Sequence, residues 1–97
     1  MARYKVNDEE LSAALAELPG WEEKDGKLHK TYKFDSFAQA MGWMISVAIH
    51  ADKMDHHPEW ANVYNKVQVN LVTHDLDNAI SNLDLDLAKK MEALASS

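Results

Sequence analysis

Asp25-Gly26 ties two short stretches of this chain into a hairpin. An Asp-Gly pair between two short apolar-bearing runs favours a two-residue turn with both residues at positive φ, and such a turn forces its flanks to pair antiparallel. The flanks here are residues 21–24 and 28–34, with Leu28, Tyr32 and Phe34 on one face of the second run. A further alternation lies at residues 66–73, where Val67, Val69 and Leu71 interleave with Gln68, Asn70 and Val72, preceded by a shorter run at 59–63. These spacings predict four strands.

The segments between them carry helical spacing. Leu11, Leu15 and Leu18 line one face of residues 8–18, with Asp8 as the cap, Glu9 and Glu10 in the first turn and Pro19-Gly20 as the stop. Asp35-Ser36 precedes a long helix over about 36–52, for which Phe37, Met41, Met44, Ala48 and Ala51 are the expected apolar positions. The last helix is expected over about 81–95, opened by the capping box Ser81-x-x-Asp84, with the stripe Ile80, Leu83, Leu87, Met91 and Leu94. Helix, hairpin, helix, two strands, helix predicts an α+β fold: a four-stranded antiparallel sheet with three helices packed on one face. The 97 residues fit one domain, 1–97. A domain this small has a modest core, which favours oligomerisation.

Composition narrows the function. A net charge of -6 argues against a broad nucleic-acid surface, and the absence of Cys removes disulfides, thiol nucleophiles and Cys-based zinc sites. No segment is apolar over a bilayer's width and the first residues have no signal-peptide run, so a soluble cytoplasmic protein is expected, with neither nucleic acid nor membrane as partner.

The chemistry concentrates between Asp52 and Asp84. Asp55, His56 and His57 fall where the long helix breaks, and Thr73-His74-Asp75 ends a strand. Imidazole is the side chain that titrates near neutrality unaided, so a His pair and a third His suit proton transfer. Imidazole and carboxylate also suit a metal. Neighbouring residues on an extended stretch point to opposite faces, which weakens the case for joint chelation by His56 and His57.

The phrase His-His-Pro-Glu-Trp-x-Asn-Val-Tyr-Asn-Lys-Val at 56–67, with Asp52 four positions before it, His74 at a strand end and Asp84 at a helix start, resembles the pterin-4a-carbinolamine dehydratases. The resemblance runs from Pro19-Gly20-Trp21 onward and is weakest over 1–18 and at the C-terminus. It implies the same α+β fold and an enzyme with no metal and no cofactor. Its reaction dehydrates 4a-hydroxytetrahydropterin to the quinonoid dihydropterin, in the recycling of tetrahydrobiopterin. By motif position it implies His57 as the main acid/base, His74 as the second and His56 as the residue that binds and orients the pterin. Asp55 would fix a His tautomer, Thr73 and Asp75 would reach the ligand, Asp52 would supply charge, and Trp21 would wall the pocket. Asp84 is expected chiefly as a cap. Relatives form dimers or tetramers, and an animal relative doubles as a dimerisation cofactor of a homeodomain transcription factor. A non-catalytic binding protein on this fold is therefore the alternative, and a metal-dependent hydrolase the second rival. The chain departs from the family at 76–80, Leu-Asp-Asn-Ala-Ile, where many relatives carry a Gly; Asn78 is expected to take the left-handed conformation instead.

Overall fold

The computed structural model describes residues 2–96. Its elements follow the expected order: α1 (Asp8–Ala16), β1 (Glu22–Lys24), β2 (Lys27–Lys33), α2 (Phe37–Met54), β3 (Glu59–Val63), β4 (Lys66–Leu71) and α3 (Asn82–Ala95). The strands form one antiparallel sheet in the order β1-β2-β4-β3, an α+β fold.

Asp25 and Gly26 both have positive φ, 54° and 79°, the geometry a twisted two-residue hairpin requires. In the register of β2 on β4, Leu28 faces Leu71 and Tyr32 faces Val67. Leu28, Tyr32, Val67, Val69 and Leu71 are buried in the same core as residues of all three helices, so one sheet face carries the core. Thr31 and Gln68, paired across the strands, are exposed on the other. β4 stops at Leu71, two residues earlier than expected. The Thr73 N–H bonds Ala79 O at 2.8 Å, so the chain has turned off the sheet by then.

Asn7, not Asp8, caps α1. Its side chain accepts from the Glu10 N–H while Glu10 accepts from the Asn7 N–H, a reciprocal box that only the pair three apart can close. Asp8 falls in the first turn. The helix ends at Ala16 because Glu17 and Leu18 tighten to i−3 bonds ahead of Pro19.

The buried stripe of α2 is Ala40, Trp43, Val47 and the expected Ala51, with Met44 partly buried against the core; Phe37, Met41 and Ala48, also expected, lie off it. Trp43 sets the rotation: its ring packs on Tyr32, Phe34 and Trp60, and its Nε1–H donates to Met91 O at 3.1 Å. A large ring with a satisfied N–H outweighs two methionines in choosing the inward face. Phe37, Ile45 and Ile49 are left exposed.

Ser81 and Asp84 close the expected capping box at the start of α3. The N-terminal arm is clipped to this helix start. Val6 N–H bonds Ile80 O, Tyr4 N–H bonds Asn82 Oδ1, and Asn82 Nδ2–H bonds Ala2 O. A polar knot closes the other end of α3. Glu92 Oε2 accepts from Lys30 Nζ at 2.7 Å, from Trp21 Nε1 at 3.2 Å and from the Tyr32 hydroxyl. No helix among the described residues is long and apolar enough to cross a membrane.

Candidate active site

α2 ends with Asp55 in the left-handed conformation, φ 52° and ψ 44°. The Asp55 N–H returns to Ala51 O and Asp52 O, and the His56 N–H reaches Ala51 O at 3.1 Å. Such closure usually falls to Gly; a short polar side chain tolerates it at some cost. Its effect is to fold His56 back under the helix end and to leave His57 extended before Pro58. Accordingly His56 is buried and His57 exposed.

His56 Nε2 lies 2.5 Å from Asp84 Oδ1. The other carboxylate oxygen of Asp84 accepts from the Ser81 N–H at 2.8 Å and from the Thr73 hydroxyl at 2.9 Å. Thr73 has a single proton, already given to Asp84, so in its 2.5 Å contact with Ser81 the Ser81 hydroxyl donates. A directed chain therefore runs Ser81 to Thr73 to Asp84, with His56 on the remaining oxygen. Asp84, Ser81 and Thr73 are almost wholly buried. Every buried polar side-chain atom among the described residues has a partner.

Thr73 leads into a single 3₁₀ turn, His74–Leu76. Asp77 and Asn78 follow with φ of 55° and 62°. Two short polar residues thus share the left-handed turn in the Gly-free loop, one of them the expected Asn78. His74 is well exposed, and its Nε2 lies 3.2 Å from Glu59 Oε2. Glu59 Oε1 also takes the Lys27 ammonium at 2.6 Å. The Lys27 hydrogen bond first, and that of His74 second, hold the Glu59 carboxyl below its ordinary range.

The two segments face one cleft of about 390 Å³. Asp55, His56 and His57 line one side; Val72, Thr73, His74 and Asp75 line the other. Arg3 completes the rim and bonds Asp75 at 2.7 Å. The three histidines, Asp55, Thr73 and Asp75 are thus brought together. Two of the residues named from the sequence are not in this cleft. Asp52 lines a separate apolar hollow with Ile45, Ile49, Pro58 and Trp60, which shares His57 with the cleft. Trp21 is buried in the core with its indole N–H on Glu92, and walls neither space. Asp55 has the position expected of it, but the carboxylate on His56 is that of Asp84.

The expectations did not include Arg3 or the His56 contact of Asp84, whose capping role is as expected. Nothing in the local pattern marks Arg3, because contacts 78 and 80 residues apart bring the arm to the cleft: the Asn82 side chain bonds the backbone of Tyr4 and Ala2. The capping box did mark Asp84, but not that its second oxygen is left over for a histidine. No group of three or more His, Asp or Glu among the described residues is arranged to hold a metal ion.

In chemical terms the cleft offers three imidazoles, two of them with carboxylate partners, beside charged side chains. Comparison with known proteins gives this arrangement its context. A family model described as pterin 4 alpha carbinolamine dehydratase matches residues 4–94. Proteins of Brucella ovis and Brucella canis, each named "Putative pterin-4-alpha-carbinolamine dehydratase", are 43% identical over 97 residues, covering 98% of this chain and 99% of theirs. A crystal structure of a "transcriptional coactivator/pterin dehydratase" from Brucella melitensis superposes with a TM-score of 0.89 at 41% identity, covering 95% of this chain and 99% of that one. With most of its length matched, the chain belongs to the pterin 4 alpha carbinolamine dehydratase family.

Proposed function

We propose that this protein is a hydro-lyase that dehydrates 4a-hydroxytetrahydropterins to quinonoid dihydropterins by histidine general acid/base catalysis. The observation that carries this reading is the convergence of His56, His57 and His74 on one cleft. The reaction breaks the C4a–OH bond. An acid gives the departing hydroxyl a proton, so that it leaves as water, and a base takes the proton from the neighbouring ring nitrogen. The nitrogen's electron pair then closes the C=N double bond. His57, exposed and outside the buried network, is the main acid/base in this reading, and His74 is the second. In this reading His56, held by Asp84, orients the ring, and Asp55, Thr73 and Asp75, which line the cleft, are its further contacts. Positioned acid/base groups give roughly 10²–10⁴-fold acceleration. A cytoplasmic homodimer or homotetramer is part of this proposal; β3 offers an unpaired sheet edge for such assembly.

A stopped-flow assay tests the proposal directly. Freshly generated 4a-hydroxytetrahydropterin is mixed with protein or with buffer alone, since the reaction also proceeds unaided. The wild type is expected to accelerate dehydration, and His57→Ala to lose at least roughly tenfold of that while melting normally. No acceleration by folded protein would overturn the enzyme reading.

A second reading, a binding or regulatory protein, is favoured by one observation. Ile45 and Ile49 stand 61% and 54% exposed on α2, beside an apolar hollow. Exposed apolar surface of this kind suits a protein partner.

A further inference from the structure

We propose that Glu59, braced by Lys27, is a positioning residue that fixes the orientation and tautomer of His74. The proposal takes from the dehydratase reading only what His74 then does, not how it is held.

Glu59, Asn70 and His29 stand in one row across β3, β4 and β2. Lys27 is two residues from His29 on β2 and so shares its face. From there its ammonium crosses β4 to reach Glu59 Oε1 at 2.6 Å. Glu59 Oε2 is left for His74 Nε2 at 3.2 Å. Each carboxylate oxygen thus has its own cation or ring donor. An ionised carboxylate only accepts, so Nε2 of His74 must carry a hydrogen. In the neutral ring the lone pair then resides on Nδ1. The ring is held as a base through Nδ1 and becomes an acid once Nδ1 is protonated. Without Glu59, an imidazole as exposed as His74 would exchange tautomers and rotate freely.

Lys27 has two effects. It keeps Glu59 ionised, so the acceptor persists at mildly acid pH. It also draws part of the carboxylate's charge away from His74, which tempers the pull of Glu59 on the imidazolium. The other charged or titratable groups around the ring are Arg3 and Asp75 on the rim and Asp55, His56 and His57 at the end of α2.

The test measures His74 by ¹⁵N and ¹³C NMR across pH in the wild type, Glu59→Gln and Lys27→Met, with dehydration rates on the same samples. The wild type is expected to show the Nε2–H tautomer. Glu59→Gln should mix the tautomers, because the amide can offer Nε2 a hydrogen as well as accept one. Lys27→Met should keep the tautomer, since Glu59 still accepts from Nε2. An unchanged His74 tautomer in Glu59→Gln, with the fold intact by melting, overturns the proposal whatever the rates. NMR changes as expected in a protein that does not accelerate dehydration would uphold the positioning and overturn the catalytic reading instead.

Discussion

His56 and Asp84 meet at 2.5 Å, one at the end of α2 and the other in the first turn of α3, with both side chains shut away from solvent. One carboxylate therefore does two jobs. Through Oδ2 it caps a helix and accepts the Thr73 hydroxyl; through Oδ1 it holds a cleft histidine.

Asp84→Ala should for that reason be costly. It leaves the Ser81 N–H, the Thr73 hydroxyl and the His56 ring without their buried acceptor. A lost cap and unsatisfied buried donors together suggest about 2–4 kcal/mol of destabilisation. Asp84→Asn keeps the shape and one acceptor, but its amide hydrogens must face either the Ser81 N–H or His56. It should lose less stability than Asp84→Ala and still lower turnover. Urea melts of both variants beside the dehydration assay would check this, and equal stability of the two would refute the argument.

Acid should loosen the far end of α3. Burial alone would raise the Glu92 carboxyl, but its hydrogen bonds from Lys30 and Tyr32 outweigh burial and bring it below its ordinary range. Tyr32, pushed well above its usual value by burial and then by Glu92, remains a donor throughout. A carboxyl lowered in the folded state lends stability that is full above its unfolded value, about 4.3, and is lost as the pH falls through the folded one. Glu59 acts in the same window but is more exposed, so its share is smaller. Melting temperature against pH should drop below about pH 4.3. Glu92→Gln should start lower and show a shallower acid limb.

Two glycines should respond in opposite directions. Gly20 has φ +83°, and a Cβ there would lie 2.9 Å from Cε of Lys30, whose ammonium is engaged by Pro19 O and Glu92. Gly20→Ala should cost about 1–3 kcal/mol, the usual range for a left-handed non-glycine. Gly42 is exposed within α2, and a Cβ there meets nothing within 4 Å. Gly42→Ala should stabilise by about 0.5–1 kcal/mol. Paired thermal melts decide both.

The element order and the strand faces were legible because they rest on local chemistry: Asp25-Gly26 demands its turn, and Val67, Val69 and Leu71 alternate without ambiguity. The rotation of α2 was not. Its apolar residues nearly encircle the helix, and only the aromatic partners of Trp43, distant in sequence, choose between Ala40-Trp43-Val47 and Phe37-Met41-Met44. The cleft divides the same way. His56, His57 and His74 carried a motif. Trp21 matched a motif position too, but a Trp whose N–H finds Glu92 in the core satisfies packing rather than a ligand. Arg3, Glu59 and the second role of Asp84 depend on contacts between residues 3 and 75, 59 and 74, and 56 and 84. Nothing in a local window encodes such pairs.

Asp55 is where stability and function pull apart. It sits at φ 52° in a helix-closing position that Gly fills with least strain, yet it lines the cleft. Asp55→Gly removes the steric cost of the left-handed backbone and should hold or raise stability, by about 0.5–1 kcal/mol after the greater chain entropy of Gly is counted. Asp55→Ala keeps the strain, loses the polar side chain that tolerates it, and should melt below the wild type. Both delete the carboxylate. If that carboxylate contacts the pterin, the two variants should share a raised KM despite opposite shifts in melting temperature. Wild-type kinetics in Asp55→Gly would remove Asp55 from the site and leave it a helix terminator alone.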